Sequence, residues 1–385
     1  MQFNQIIGHY HLKEHFLNIV KSEKIPHAQL FLGPEGNGGL AMAMAFAQLL
    51  NCEKPTETDS CGKCNACQKS KKMIHPDVHF TFPVIVKKDG KPSLSDDWIA
   101  EFRKSVLENP YLNEYDWLQI IKAENKQGNI TALEAKNILR KLSFKNYEGK
   151  YRVSIIWKPE ALKKEGNILL KLIEEPPANT IIILVAENQE DILPTILSRT
   201  QITKINRIQD SDISEALIKQ YQVQTEKAQR IAFLADGNFR EALLLIENED
   251  DPFDQDLKDW LTFTLNNNAS ELVSFMEKKA GKGREHIKQF LEYYLHFLRE
   301  CLVLRFSNKL NAKFTHSEKQ LAERMSRFLN EEKLYLLVPL IEKCHYAIER
   351  NCNPKITLLN LSIQMEKILR GKPISVESWV HSIKY

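Results

Sequence analysis

Residues 33 to 40 read Gly-Pro-Glu-Gly-Asn-Gly-Gly-Leu. A phosphate-binding loop reads G-x-x-x-x-G-K-[ST]; its Lys reaches the β- and γ-phosphates and its Ser or Thr holds Mg²⁺. Gly33 and Gly38 fill the two glycine positions, with Gly36 and Gly39 beside them. Gly39 stands where the Lys belongs, and Leu40 stands where the hydroxyl belongs. The turn can form, but its charge and its metal ligand are missing. Taken alone, such a run is also what an ordinary strand-to-helix turn looks like. The flanks raise it. His27-Ala28-Gln29-Leu30-Phe31-Leu32 is a short, mostly apolar run suited to a buried strand, and residues 40–47 are strong helix formers.

Working outward, the first half alternates strand-like and helical runs, which predicts an α/β domain with a parallel sheet. Strands are expected at 28–32, 78–84, 152–157, 180–186 and 201–205. Helices are expected at 131–142 and 162–175, the second stopped by Pro176-Pro177. Residues 208 to 247 carry only helical periodicity, with helices expected at 211–221, 226–235 and 239–247. Asn238 is placed to cap the last of these, with Glu241 three residues on. The acidic run Asn248-Glu249-Asp250-Asp251-Pro252 reads as a linker. Beyond it the pattern is again all helical, clearest at 291–304, 332–350 and 356–369. Pro339 is expected to kink or split the second of these. The division expected is an α/β domain over 1–207, a small helical domain over 208–250 and a helical domain over 251–385.

Composition limits the function. A chain of 385 residues is long enough for two or three domains. No apolar run approaches a membrane span, and Met1-Gln2-Phe3-Asn4-Gln5 lacks the features of a signal peptide. A cytoplasmic protein without a membrane partner is expected. A formal charge of +3 argues against a stand-alone DNA binder, and Lys69-Ser70-Lys71-Lys72 reads as a solvated face.

Cys52, Cys61, Cys64 and Cys67 form a Cys-x8-Cys-x2-Cys-x2-Cys cluster. Four thiolates suit tetrahedral Zn²⁺ and leave no open coordination position, so a structural zinc is expected. An iron–sulfur site, free thiols or a redox pair are the alternatives. Cys301, Cys344 and Cys352 read as buried thiols without a special role.

A second motif is also altered. In a phosphate-loop ATPase, the strand at 152–156 would be followed by an acidic residue supporting Mg²⁺. Here Trp157 takes that position, Lys158 stands where a water-activating carboxylate would be, and Glu160 comes too late to replace either. Two damaged motifs predict that this chain does not hydrolyse ATP; ATP binding is not expected either, although backbone amides at a helix N-terminus can hold a phosphate and leave weak binding open.

The frame His27–Phe31, the cysteine cluster, the run Asn167-Ile168-Leu169-Leu170-Lys171-Leu172-Ile173-Glu174-Glu175-Pro176-Pro177 and Ile196-Leu197-Ser198-Arg199 together resemble the clamp-loader family of bacterial DNA polymerase III. The likeness covers about the first 250 residues. The two degenerate motifs resemble its non-hydrolysing, delta-prime type rather than its gamma/tau ATPases. The resemblance implies an AAA+ module, a small helical lid and a helical collar. It also implies a hetero-pentamer with gamma/tau and delta subunits that places the sliding clamp on primed DNA. It implies that Arg199, in Ser198-Arg199-Thr200, acts in trans on a neighbour's ATP, although the family's cysteine is replaced by Thr200. Without the family context, Arg199 reads as a surface residue capping a helix end. Arg240 matches the lid arginine that senses nucleotide in active relatives; here it is expected to hold the lid against the first domain. Asn188, near a polar sensor position, is given no functional weight, and Asn167, Glu174 and Glu175 read as packing and domain contacts. Residues 83 to about 128, with a hairpin signal at 87–92 and a helical stretch holding Trp98 and Trp117, exceed the family's usual length. The competing readings are a divergent gamma/tau-like ATPase and a zinc-containing DNA-binding adaptor.

Overall fold

Side chains that alternate between two buried faces define the centre of the molecule. The computed structural model describes residues 1–86, 93–123, 126–247, 253–266, 268–306, 316–350 and 352–372. Five strands, β1 (Ala28–Leu32), β2 (Val78–Thr81), β3 (Arg152–Trp157), β4 (Thr180–Ala186) and β5 (Gln201–Lys204), form a parallel sheet in the order β2-β3-β4-β1-β5. Ile181, Ile183 and Val185 of β4 enter one core with Phe31, Val153, Ile155 and Trp157. Ile182, Leu184 and Ala186 enter the other with Leu30 and Ile156. A parallel sheet buried on both faces explains why these runs are apolar throughout rather than alternating with polar residues.

The first core is covered by α1 (Tyr10–Lys21), α2 (Gly39–Leu50), α3 (Asn65–Lys71), α4 (Ile99–Glu108) and α5 (Glu114–Ile120). Phe16 stacks between Phe31 and Phe46, with ring centroids 5.0 and 4.6 Å away. The second core is closed by α6 (Ala132–Ser143), α7 (Leu170–Glu174) and α8 (Pro194–Leu197). Thr131 caps α6 through Glu134 N–H. Helices α9 (Asp210–Tyr221), α10 (Thr225–Ala235) and α11 (Phe239–Glu247) pack around a third apolar cluster, and Asn238 Oδ1 accepts Glu241 N–H at 3.1 Å, the expected cap. This is the α/β class with a parallel sheet that the sequence predicts.

The chain divides into two units, Met1–Glu247 and Asn248–Tyr385. The second is helical as expected: α12 (Phe253–Leu265), α13 (Ala269–Gly281), α14 (Arg284–Phe306), α15 (His316–Phe328), α16 (Glu331–Glu349) and α17 (Pro354–Leu369). Trp260 anchors it, fully buried, with Nε1–H donating to Ser362 Oγ at 2.7 Å. Buried Lys279 pairs with Asp256 and lies over the Phe275 and Phe290 rings. Among the described residues, no helix is long and apolar enough to cross a membrane.

Several expectations are corrected. The strand at 78–84 stops at Thr81, since Pro83 cannot donate to a ladder; Val84 makes only an isolated bridge to Asn129. The helix at 162–175 is instead a 3₁₀ stretch, Pro159–Leu169, broken at Lys163 (φ 49°, ψ −132°), followed by the short α7. The stretch holding Trp98 and Trp117 is a 3₁₀ turn, Ser95–Trp98, then α4 and α5, separated around Pro110. Of the two outcomes expected at Pro339, a kink or a split, the split does not occur: α16 runs on through it. Cys301 and Cys344 are buried, but Cys352 is exposed. The hairpin signal at 87–92 and the linker at 248–252 lie outside the described residues.

The loop between α6 and β3 is fixed by one buried carboxylate. Asp77 accepts the backbone N–H groups of Tyr147, Glu148 and Gly149 at 2.7, 2.9 and 2.7 Å. Burial alone would raise its pKa, but these three donors outweigh it and hold the carboxyl below its usual value. A depressed folded pKa contributes stability above the unfolded pKa of about 3.9 and loses it as pH falls through the folded value. Asp77→Asn is therefore expected to cost about 1–2 kcal/mol at pH 7. In denaturant unfolding the gap from the parent protein should narrow steadily below about pH 4; a gap constant with pH would refute this account.

Candidate functional site

The phosphate-loop turn lies where β1, β3 and β4 end, the position at which α/β sheets bind ligands. The loop's own chain fills it. Asn37, buried, accepts Gly39 N–H through Oδ1 at 2.9 Å and donates through Nδ2 to Ile205 O at 2.8 Å. A backbone N–H at the helix start, the natural donor to a phosphate, is thus already satisfied. His9 Nε2–H donates to Asn37 O at 2.8 Å and fastens the turn to the N-terminal segment. Gly33 N–H continues the sheet by donating to Ala186 O.

Two of the glycines are required by contacts within the chain. Gly36 has φ +68°, and a Cβ there would meet Asn238 Oδ1 at 1.7 Å. Its carbonyl accepts Phe239 N–H at 3.0 Å. Gly38 has φ +84°, and a Cβ would meet the Tyr111 ring at 2.8 Å. Both backbones are left-handed and closely approached. The remaining cavity, bordered by Pro110, Tyr111, Leu112, Trp157, Glu187 and Ile205, measures about 30 Å³, room for about one or two water molecules.

Tyr111, Asn113 and Asp116 come from the segment between β2 and α6. Tyr111 is buried, its hydroxyl accepting Ile7 N–H at 2.9 Å and its ring centroid 4.9 Å from Phe239. Arg240, at the start of α11, forms a fork with Asp116: Nε to Oδ2 at 2.6 Å and Nη2 to Oδ1 at 2.7 Å. Its Nη1 lies 3.5 Å from Glu35 Oε1 in the loop. Asn113 caps α5 and donates to the same Glu35 oxygen at 2.9 Å. The arginine side chain is 3% exposed. The sequence singled out Arg240 but not its carboxylate partners, which lie 124 and 205 positions away.

At the second motif, Trp157 is buried against Phe102 at 5.7 Å. Lys158 pairs with Glu187. Burial opposes the Lys158 charge, but the Glu187, Glu114 and Glu160 carboxylates overcome it and raise its pKa. Glu160 accepts the N–H groups of Glu187 and Asn188 at 2.6 and 3.1 Å. The second Glu160 oxygen, Oε2, is buried without a hydrogen-bond partner. Asn188 caps the turn that follows β4, and Asn167 donates to Lys164 O.

Arg199 lies just before β5, at the end of the strands opposite the phosphate loop. Its side chain is 36% exposed. It contacts Glu174 Oε2 and donates to Thr195 O and Ser198 Oγ, at 3.2, 3.1 and 3.2 Å. This position keeps it from serving its own loop.

The four N-terminal cysteines do come together. Cys52 follows α2, Cys64 caps α3 and Cys67 lies within it; their sulfurs and that of Cys61 lie within 4.8 Å of one another. Cys61 and Cys67 sulfurs are 3.9 Å apart, against about 3.8 Å for thiolates tetrahedral about zinc. Backbone N–H groups of Cys61, Cys64 and Cys67 point at sulfurs at 3.2–3.4 Å. The Lys63 N–H, aided by that of Cys64, pulls the Cys61 thiol down to about 6. The donor set fits a metal ion that takes four thiolates. Gln2 Nε2–H to Ser60 O and Asn4 N–H to Asp59 bind the module to the N-terminus.

Comparison with known proteins agrees with this fold. The chain is 26% identical over 383 residues to DNA polymerase III subunit tau of Bacillus subtilis (strain 168), covering 92% of this chain and 60% of that protein. It is 26% identical over 252 residues to subunit gamma of Buchnera aphidicola, covering 64% and 58%. Against subunit delta' of Bacillus subtilis it is 26% identical over 233 residues, covering 60% and 57%. The chain thus spans somewhat under two thirds of the length of each. The family model described as DNA polymerase III, delta subunit, matches residues 8–209. That match takes in the sheet, the cysteine cluster and Arg199, and covers more than half of the chain, which therefore belongs to this family.

Proposed function

We propose that this chain is a clamp-loader subunit of a bacterial DNA polymerase III that turns over no ATP itself and lends Arg199 to the ATP site of a neighbouring gamma/tau-type subunit. Its partners on this reading are gamma/tau and delta subunits in a hetero-pentamer, and through that ring the sliding clamp and primed DNA. Residues 1–207 form the AAA+ module, 208–250 the lid and 251–385 the collar. One observation carries the reading: the chain's own side chains occupy the phosphate-loop site, while Arg199 stands half-exposed at the other end of the strands. The chain works as a stator that completes a neighbour's site rather than as a motor. Relatives named gamma and tau do not decide between a hydrolysing and a non-hydrolysing subunit. The non-hydrolysing reading is supported by the residues, because there is no loop Lys, no loop hydroxyl and no carboxylate at Trp157.

The chemistry asked of Arg199 is electrostatic. A fixed guanidinium beside the γ-phosphate stabilises charge that shifts during phosphoryl transfer, and such a finger is worth about 10³–10⁵ in GTPases. In a reconstituted loader, Arg199→Ala is expected to leave assembly intact and to slow the one adjoining site by about 10³-fold under clamp and DNA stimulation. Unchanged turnover in an intact assembly would rule out the trans role.

The cysteine cluster is read as a structural zinc site held by Cys52, Cys61, Cys64 and Cys67. With four thiolate ligands the ion offers no open position and joins the end of α2 to α3. Elemental analysis should find one zinc per purified chain. Cys64→Ser should lose the metal and lower the melting temperature, and chelator should lower the parent's melting temperature to a similar level. Iron in place of zinc, or a full melting temperature without metal, would overturn the assignment.

A further inference from the structure

We infer that residues 110–117 are a resident occupant of the nucleotide site, built into the chain, which fixes helices α9–α11 to the sheet in place of a nucleotide. The inference rests on the non-hydrolysing reading and states what has taken the nucleotide's position.

Three contacts carry it. The first is electrostatic. Arg240 projects from α11 toward the loop and is almost wholly buried, and a buried cation needs an anion. In a phosphate-binding site that anion would be phosphate. Here the Asp116 carboxylate meets both guanidinium nitrogens, with Glu35 of the loop beside it. A carboxylate offers the same two-oxygen edge to a guanidinium as a phosphate does. The second contact is steric. The Tyr111 ring lies against Gly38 and joins the apolar cluster of α9–α11, alongside Ile7 and Phe239. One aromatic side chain therefore bridges the loop and the helical bundle. The third is the backbone: Gly36 O accepts Phe239 N–H, and Gly39 N–H is taken by Asn37. Asn113 orders the group by capping α5 and donating to Glu35. Trp117 secures the other end, buried, with Nε1–H donating to Pro83 O at 2.7 Å.

A movable lid would need the anion to leave. This anion is covalently part of the chain and anchored at both ends, so the position of α9–α11 is independent of nucleotide.

Hydrogen exchange on the full chain tests this, with and without millimolar Mg·ATP. In the parent protein, α9–α11 amides should be protected, and ATP should change nothing. Arg240→Gln should speed α9–α11 exchange by at least about tenfold while β1, β3 and β4 stay protected, since it removes a buried charged hydrogen bond. If Arg240→Gln also unprotects the strands, Asp116→Asn, which keeps shape and removes charge, gives the decisive measurement with the same expectation. Parent-like exchange in Asp116→Asn, or ATP-induced protection in the parent, would overturn the inference. ATP turnover by the isolated chain would overturn the non-hydrolysing reading itself, so the two failures are separable.

Discussion

A guanidinium cut off from water must meet an anion, and much of the first unit is arranged around that requirement at Arg240. Removing one partner of such a pair typically costs about 3–5 kcal/mol, because the other charge stays buried. The fork with Asp116 meets the requirement, but only if α5 lies over the loop. That placement needs Asn113 to cap the helix and Trp117 to anchor it. It also needs glycine where Asn238 and Tyr111 approach the turn. The glycine frame thus has a packing reason of its own: two side chains of the same chain fill the space that glycine leaves open.

The altered second motif obeys the same logic with the sign of charge reversed. A metal site needs carboxylates facing outward to a cation. Here the lysine at the end of β3 is itself the cation, and Glu187 is its partner. Glu160 accepts two backbone N–H groups just beyond the β4 end through one oxygen, Oε1. Lys158 sets a cation among the carboxylates of this corner, and Trp157 extends the aromatic core to the rim.

What was legible in the sequence was local. The strands of the sheet centre could be read because both faces are buried, giving unbroken apolar runs bounded by Gly and Pro. The cysteine spacing foretold a convergence of sulfurs, because short spacers leave little choice. The Asn238 cap was legible for the same reason. The partners of Arg240 were not, since nothing in local periodicity says which carboxylate will meet a given cation across more than 100 positions. The break at Lys163 was missed because the run after it has helical composition, and only the backbone angles reveal the interruption. The role of the long segment at 83–128 could not be read either: its helices are ordinary, and their meaning lies in what they cover.

The two arginines of interest differ in a way that fits the roles proposed for them. Arg240 is buried in a bidentate pair, so its charge is committed to the chain. Arg199 is half-exposed, and its carboxylate partner Glu174 is 58% exposed. Exposed ion pairs are worth about 0–1 kcal/mol, small beside the several kcal/mol at stake when a finger meets a phosphoryl group in flight. Its contacts with Thr195 O and Ser198 Oγ orient the guanidinium at little cost. A residue meant to serve a neighbour should be oriented but weakly held, so that exchanging a carboxylate for a phosphate runs downhill. On the function proposed above, the buried Arg240 pair would serve as a fixed support for Arg199, because a misplaced charge near a transition state contributes far less than a fixed one.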